Sequence, residues 1–71
     1  MNEQEFCRAF GKRIREIREI QGLSVYELAK KSKIGKSTIY RIECGEINVR
    51  TSTIIKLARA FEYKVSEIFD F

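Results

Sequence analysis

The densest chemistry in this 71-residue chain lies between Lys30 and Arg41, where Lys30, Lys31, Lys33, Lys36 and Arg41 occur with no acidic residue among them. Positive charge beside the hydroxyls of Ser37 and Tyr40 suits a polyanion, and a guanidinium fork matches the two acceptors on the major-groove edge of guanine. On a helical wheel advancing about 100° per residue, Lys36, Ser37, Tyr40, Arg41 and Cys44 fall on one side. Thr38, Ile39 and Ile42 fall on the other and are expected to pack inward. The outward set has no carboxylate.

Other chemistries are poorly served. There is no histidine and no nucleophile–base constellation, so the chain does not read as an enzyme. Two cysteines, Cys7 and Cys44, are too few soft ligands for zinc without histidine. A disulfide-stapled secreted fold would usually carry more of them. A thiol at the carbonyl end of a helix is poorly placed to ionise, which argues against a redox role for Cys44. No cofactor and no metal are expected.

The elements that must position the basic helix are marked in the sequence. Ser24 and Glu27 form an S-x-x-E capping box, flanked by Leu23 and Leu28 at the spacing of a hydrophobic staple. Ser32-Lys33-Ile34-Gly35 breaks that helix. Gly35 caps the next one, without a side-chain acceptor, and Ile34 with Ile39 repeats the staple spacing. Upstream, Phe6, Phe10, Ile14 and Ile17 form the apolar stripe of a first helix over residues 3–21, widened by Ala9 and Ile20 and ended by Gly22. Gly11 within it costs about 1 kcal/mol relative to alanine, and close packing against another helix would explain its presence. Downstream, residues 46–51 form a loop. Residues 52–61 form a fourth helix capped by Thr51 or Ser52, with an apolar face of Ile54, Ile55, Leu57, Ala58 and Phe61. Residues 65–69 form a short last helix.

The pattern L-S-x-x-E-L-A followed by I-G-K-S-T-I-Y-R-I-E-C-G resembles the Cro/C1-type helix-turn-helix family of phage and bacterial regulators, from about Phe10 to Phe69. The resemblance implies an all-α, compact five-helix, lambda-repressor-like DNA-binding domain occupying residues 1–71 as a single unit, with the helix-turn-helix at about 24–45. It implies base-edge contacts from Lys36, Ser37, Tyr40 and Arg41, and phosphate contacts from Ser24, Lys33, Asn48 and Arg50. Asn48 is equally readable as a turn-forming residue. It also implies an ion pair between Arg18 and Glu43, the glutamate of I-E-x-G. Three positions depart from the family's pattern: Val25 stands where glutamine is frequent, Val49 lies in a loop where proline is frequent, and Glu62 stands where glycine is frequent.

The net charge of +4 is uneven. Residues 1–41 hold ten Lys and Arg against five Glu, and residues 42–71 hold four against five acidic residues. The basic half contains the candidate recognition helix, as a directed nucleic-acid face requires. A 71-residue domain buries only about 60% of the surface of its unfolded chain, so dimerisation would help it. Phe69 and Phe71 are expected at a homodimer interface, because aromatic residues near a terminus need cover; the alternative is that they close the monomer core. No apolar run spans a membrane and the N-terminus is not a signal peptide, so a cytoplasmic location is expected. Together these features point to a sequence-specific regulator that binds a pseudo-palindromic operator in double-stranded DNA as a homodimer, autoregulates, and contacts RNA polymerase or blocks it. The chain's length and its ending at Phe71 favour, within the family, a controller-type protein of restriction–modification systems or a plasmid-encoded regulator. The competing readings are a protein-interaction module, such as an antitoxin-like partner on the same fold, and a non-specific nucleic-acid binder.

Overall fold

A computed structural model describes residues 1–71 as five helices and no strands. They are α1 (Glu3–Ile20), α2 (Val25–Ser32), α3 (Lys36–Glu43), α4 (Thr51–Phe61) and α5 (Val65–Ile68). Three of the starts, those of α1, α2 and α5, have a local side-chain cause. Asn2 caps α1, its Oδ1 accepting from the Glu5 amide at 2.8 Å while the Glu5 carboxylate accepts from the Asn2 amide at 3.4 Å. Ser24 and Glu27 exchange the same pair of bonds at α2, at 3.0 and 2.8 Å. The Ser24 hydrogen bonds hold the Glu27 carboxyl below its ordinary pKa. At α5 the Glu67 carboxylate accepts from the Lys64 amide at 2.8 Å. The N-x-x-E of residues 2–5 is the sequence signal for the first of these boxes.

Helix ends share one device. Gly22, Lys33, Gly45 and Glu62 all take positive φ, between 59° and 74°. At Glu62 the turn keeps the hydrogen bonds of a glycine-ended helix, with the Tyr63 amide donating to the Ala58 carbonyl at 2.9 Å. Glutamate therefore adopts the glycine-type geometry, at a cost on the order of 1 kcal/mol.

Five helices enclose one core of Phe10, Ile14, Ile17, Leu28, Ile34, Ile39, Ile42, Leu57, Ala58, Ala60, Phe61 and Ile68. Both staples contribute to it, with Leu28, Ile34 and Ile39 buried and Leu23 packed against them. Two expectations need correction. Ile20 does not widen the buried stripe of α1 but is 68% exposed. On the wheel it lies at the edge away from Cys7 and Gly11, and α3 covers α1 on the Gly11 side. Nor do Thr51 or Ser52 cap α4; Arg50 is its N-cap and no side chain closes the helix start. Val49, packed on the core, anchors the chain so that the helix begins directly after Arg50. Ile55, on the expected apolar face of α4, remains partly exposed.

Gly11 carries the α1–α3 contact. A Cβ built there would overlap the Ile42 carbonyl oxygen and stand 3.0 Å from that of Glu43. Both obstacles are backbone, which cannot swing aside. Gly11→Ala should therefore destabilise the fold by about 1–3 kcal/mol, despite alanine's better helix propensity, and urea denaturation checks this. A neutral or stabilising effect would show that the α1–α3 spacing is soft.

Candidate nucleic-acid interface

Alternation of inward and outward side chains along α3 creates the candidate surface. Ile39 and Ile42 are buried, and Thr38 is half-buried. Lys36, Ser37, Tyr40 and Arg41 are exposed, and none of them makes a side-chain hydrogen bond or ion pair within the chain. Tyr40 is 53% exposed. An exposed aromatic with a hydroxyl, flanked by free cations, suits contact with base edges and thymine methyls. No side chain caps α3 at Gly35, so its first-turn amides have no side-chain acceptor within the chain. Backbone amides at a helix start, together with the helix dipole, favour an anion there.

The phosphate candidates occupy different settings. Ser24 is exposed at the start of α2, where its Oγ accepts from Glu27 and its hydroxyl proton stays free to donate. Beside it Val25 packs partly on the core while Tyr26 is 64% exposed. The hydrogen-bonding group at this helix start is thus a phenol one residue on from the family's usual glutamine. Asn48 and Arg50 are exposed in the loop between α3 and α4. Their neighbours Ile47 and Val49 pack on the core, so the loop is a zigzag with apolar side chains in and polar ones out. The period-2 alternation of Ile47-Asn48-Val49-Arg50 was the signal for this anchoring. Lys33 stands apart from these three. It lines a cleft with Lys31, Ser32, Lys56 and Arg59.

One ion pair orients the recognition helix. Arg18 Nε donates to Glu43 Oε2 at 2.8 Å and its second terminal nitrogen donates to Oε1 at 3.0 Å, a two-toothed contact between α1 and the end of α3. The remaining nitrogen donates to the Leu23 carbonyl at 2.9 Å. Side-chain exposures of 13% and 8% place the pair largely out of water. The hydrogen bond to Glu43 raises the Arg18 pKa further above its already high value, so the charge persists at every working pH. Phe69 and Phe71, the expected interface residues, belong to an aromatic cluster within the chain. Phe69 stacks on Phe6 at 6.1 Å and meets Phe10 at 5.7 Å. Phe71 lies 5.9 Å from Phe6 and stays 49% exposed. Cys7 is buried, Cys44 is exposed and both are free thiols. No cluster of three or more ligating side chains could hold a metal. No helix is long and apolar enough to cross a membrane.

A family model described as helix-turn-helix matches residues 14–68. An uncharacterized HTH-type transcriptional regulator of Archaeoglobus fulgidus is 37% identical over 59 residues, covering 83% of this chain and 84% of that protein. The HTH-type transcriptional regulator PuuR of Escherichia coli is 39% identical over 59 residues, which cover 83% of this chain and 32% of PuuR. Among solved structures, the restriction-modification controller protein C.AhdI from Aeromonas hydrophila superposes with a TM-score of 0.89 at 37% identity, over 92% of this chain and 98% of that one. A helix-turn-helix family regulator from Vibrio cholerae gives a TM-score of 0.92 at 25% identity, over 96% of this chain and 38% of that one.

Removing one partner of the Arg18–Glu43 pair leaves the other charge largely buried and unpaired. Arg18→Met should cost about 3 kcal/mol, whereas the double replacement Arg18→Met with Glu43→Met should cost clearly less than the sum of the two single ones. A double-mutant cycle by chemical denaturation measures this. Additive costs would mean that the pair contributes no coupling.

Proposed function

Because the chain belongs to the helix-turn-helix family of transcriptional regulators, we propose that it binds double-stranded DNA sequence-specifically as a homodimer on a pseudo-palindromic operator, and that it regulates its own promoter. The observation that carries this reading is the outward face of α3. Four exposed side chains of hydrogen-bonding or cationic type have no partner in the chain, beside a helix start that no side chain closes. Arg41 is assigned a two-bond contact to guanine, with Lys36, Ser37 and Tyr40 reading adjacent base edges. Ser24, Asn48, Arg50 and Lys33 supply phosphate contacts, which set affinity and register without reading sequence.

Two-fold assembly follows from size. One α3 of eight residues reaches few base pairs, and two copies placed about one DNA turn apart double the reading. Ile55, Val65 and Phe71 are partly exposed apolar side chains on α4, α5 and the residues after α5, and they supply the surface for a second copy. Bound over a promoter, such a dimer blocks polymerase by occupancy; bound beside one, it contacts polymerase. The C.AhdI neighbour, a restriction-modification controller by its description, supports a controller-type role for this chain.

The test is fluorescence anisotropy with a duplex from immediately upstream of the protein's own gene, beside a scrambled duplex, near physiological salt. A preference of roughly a thousandfold is expected. Arg41→Ala should lose about 1–3 kcal/mol on the operator and relax specificity at one base pair, whereas Arg50→Ala should weaken all sequences alike and lower the salt slope by about one. Equal weak binding to both duplexes would sink the sequence-specific reading. A uniform loss with Arg41→Ala would move that residue to the phosphate set.

A further inference from the structure

Four cations meet between α2 and α4, three of them outside the DNA contacts proposed above and the fourth, Lys33, shared with those contacts. Lys31 in the last turn of α2, Lys33 just beyond it, and Lys56 and Arg59 on α4 line a cleft of about 290 Å3 together with Ser32. No carboxylate lines it, and none of the four cations is in an ion pair within the chain. Ser32 forms a neutral wall that is already satisfied: its hydroxyl donates to the Leu28 carbonyl at 2.7 Å and accepts from the Ile34 amide at 3.3 Å.

Helix dipoles account for part of this. Lys31 and Arg59 sit in last turns, where a cation is favoured. Two carbonyl ends carry about half a charge each, and Glu27, one turn before Lys31 on α2, offsets part of a further charge, which leaves the cleft cationic. Lys56 is in the middle of α4 and has no such reason to be there. Lys33 holds φ at 60°, a conformation that glycine or asparagine adopts more cheaply. Lys31 and Arg59 are also set back from the phosphate candidates at the two helix starts. Helices α2 and α4 start next to Ser24 and Arg50 and rise about 1.5 Å per residue. Lys31 and Arg59 therefore lie on the order of 10 Å further along their axes.

Shape and lining define the ligand. The volume equals about ten waters at roughly 30 Å3 each, too small for a folded partner's segment. No aromatic side chain lines it, so nothing there stacks a base. Arg59 can meet one phosphate with two parallel N–H donors, and the lysines act as point charges on its neighbours. We propose that the cleft between α2 and α4 is a second anion site, in which Lys31, Lys33, Lys56 and Arg59 hold a compact oligophosphate group. A free inorganic chain and the triphosphate of a nucleotide share that chemistry. An occupant would bridge α2 to α4 and stabilise the folded state by mass action.

Isothermal titration calorimetry of the full chain near physiological salt tests this, with inorganic tripolyphosphate, ATP and orthophosphate as ligands. The expected result is one tripolyphosphate per chain, orthophosphate binding much more weakly, and a loss of at least about tenfold in the double variant Lys56→Gln with Arg59→Gln. Both replaced side chains are exposed, and circular dichroism checks the fold. Arg41→Ala with Arg50→Ala, which removes as many charges from the DNA face, should leave tripolyphosphate binding intact. ATP matching tripolyphosphate would support a triphosphate from either source; ATP binding far more weakly would support the inorganic chain. Loss of binding in the Arg41/Arg50 variant, or equal losses in both variants, would overturn the proposal, because the anion would then sit on the DNA face or in a diffuse field. It would also be overturned if Lys56→Gln with Arg59→Gln lowered operator affinity and its salt slope by about two, making the cleft a DNA phosphate contact. Failure of sequence-specific DNA binding would leave this result unaffected, since no duplex enters the calorimetric arms.

Discussion

The guanidinium of Arg18 sits where three parts of the chain meet. It projects from the last turn of α1, grips both oxygens of Glu43 at the end of α3, and donates to the Leu23 carbonyl just before α2. The geometry of the helix-turn-helix depends on it. An eight-residue helix such as α3 has almost no stability alone, so its orientation comes from what it packs against. Ile39 and Ile42 fix one face by burial, but apolar packing tolerates rotation and sliding better than a two-toothed ion pair does. Arginine suits the position because its planar fork satisfies a carboxylate and still has a donor left for a carbonyl. Lysine would supply one charge and no fork.

Backbone proximity does the rest. At Gly11 the α1 helix has no side chain to separate it from the carbonyls of Ile42 and Glu43, and a Cβ on Gly45 would come within 3.0 Å of the Arg8 Cα. Two glycines on opposite partners thus let α1 pass against the end of α3. That close approach brings Arg18 within reach of Glu43, since a crossing held further apart would stretch both hydrogen bonds. The glycine that costs helix propensity in α1 and the ion pair seven residues later serve one arrangement.

Most of this was legible in the sequence because it is local. The Ser24–Glu27 box, the staples at Leu23–Leu28 and Ile34–Ile39, and the inward set of α3 all follow from spacings of three or four residues. The Arg18–Glu43 pairing is not local. It came from a family resemblance, as nothing in the spacing of residues 25 apart reveals a contact. The failures have the same cause. Ile20 lies on the apolar side of α1 by periodicity, but which edge of a helix is covered depends on where its neighbours pass. Propensity favours Thr51 or Ser52 as the cap of α4, but the helix starts one residue earlier, after Arg50, with Val49 packed on the core just before it. The cleft of Lys31, Lys33, Lys56 and Arg59 joins α2 to α4, and neither segment looks unusual until they are packed together.

Folding and recognition divide the surface of α3 between them, and this division has a consequence for how the domain changes. Ile39, Ile42 and Glu43 serve the core and the ion pair. Lys36, Ser37, Tyr40 and Arg41 have no intramolecular partner, so replacing them should cost little stability, within the half kcal/mol or so of ordinary surface positions. The outward face of α3 can therefore be altered while the fold stays in place, and under the proposed function such changes would alter operator preference. Coupling would enter through the second copy, because a small domain with partly exposed Ile55, Val65 and Phe71 gains cover when it pairs. A site that engages two copies then rewards pairing as well as contact. If the domain pairs on DNA as proposed, stability, assembly and occupancy would rise together with protein concentration.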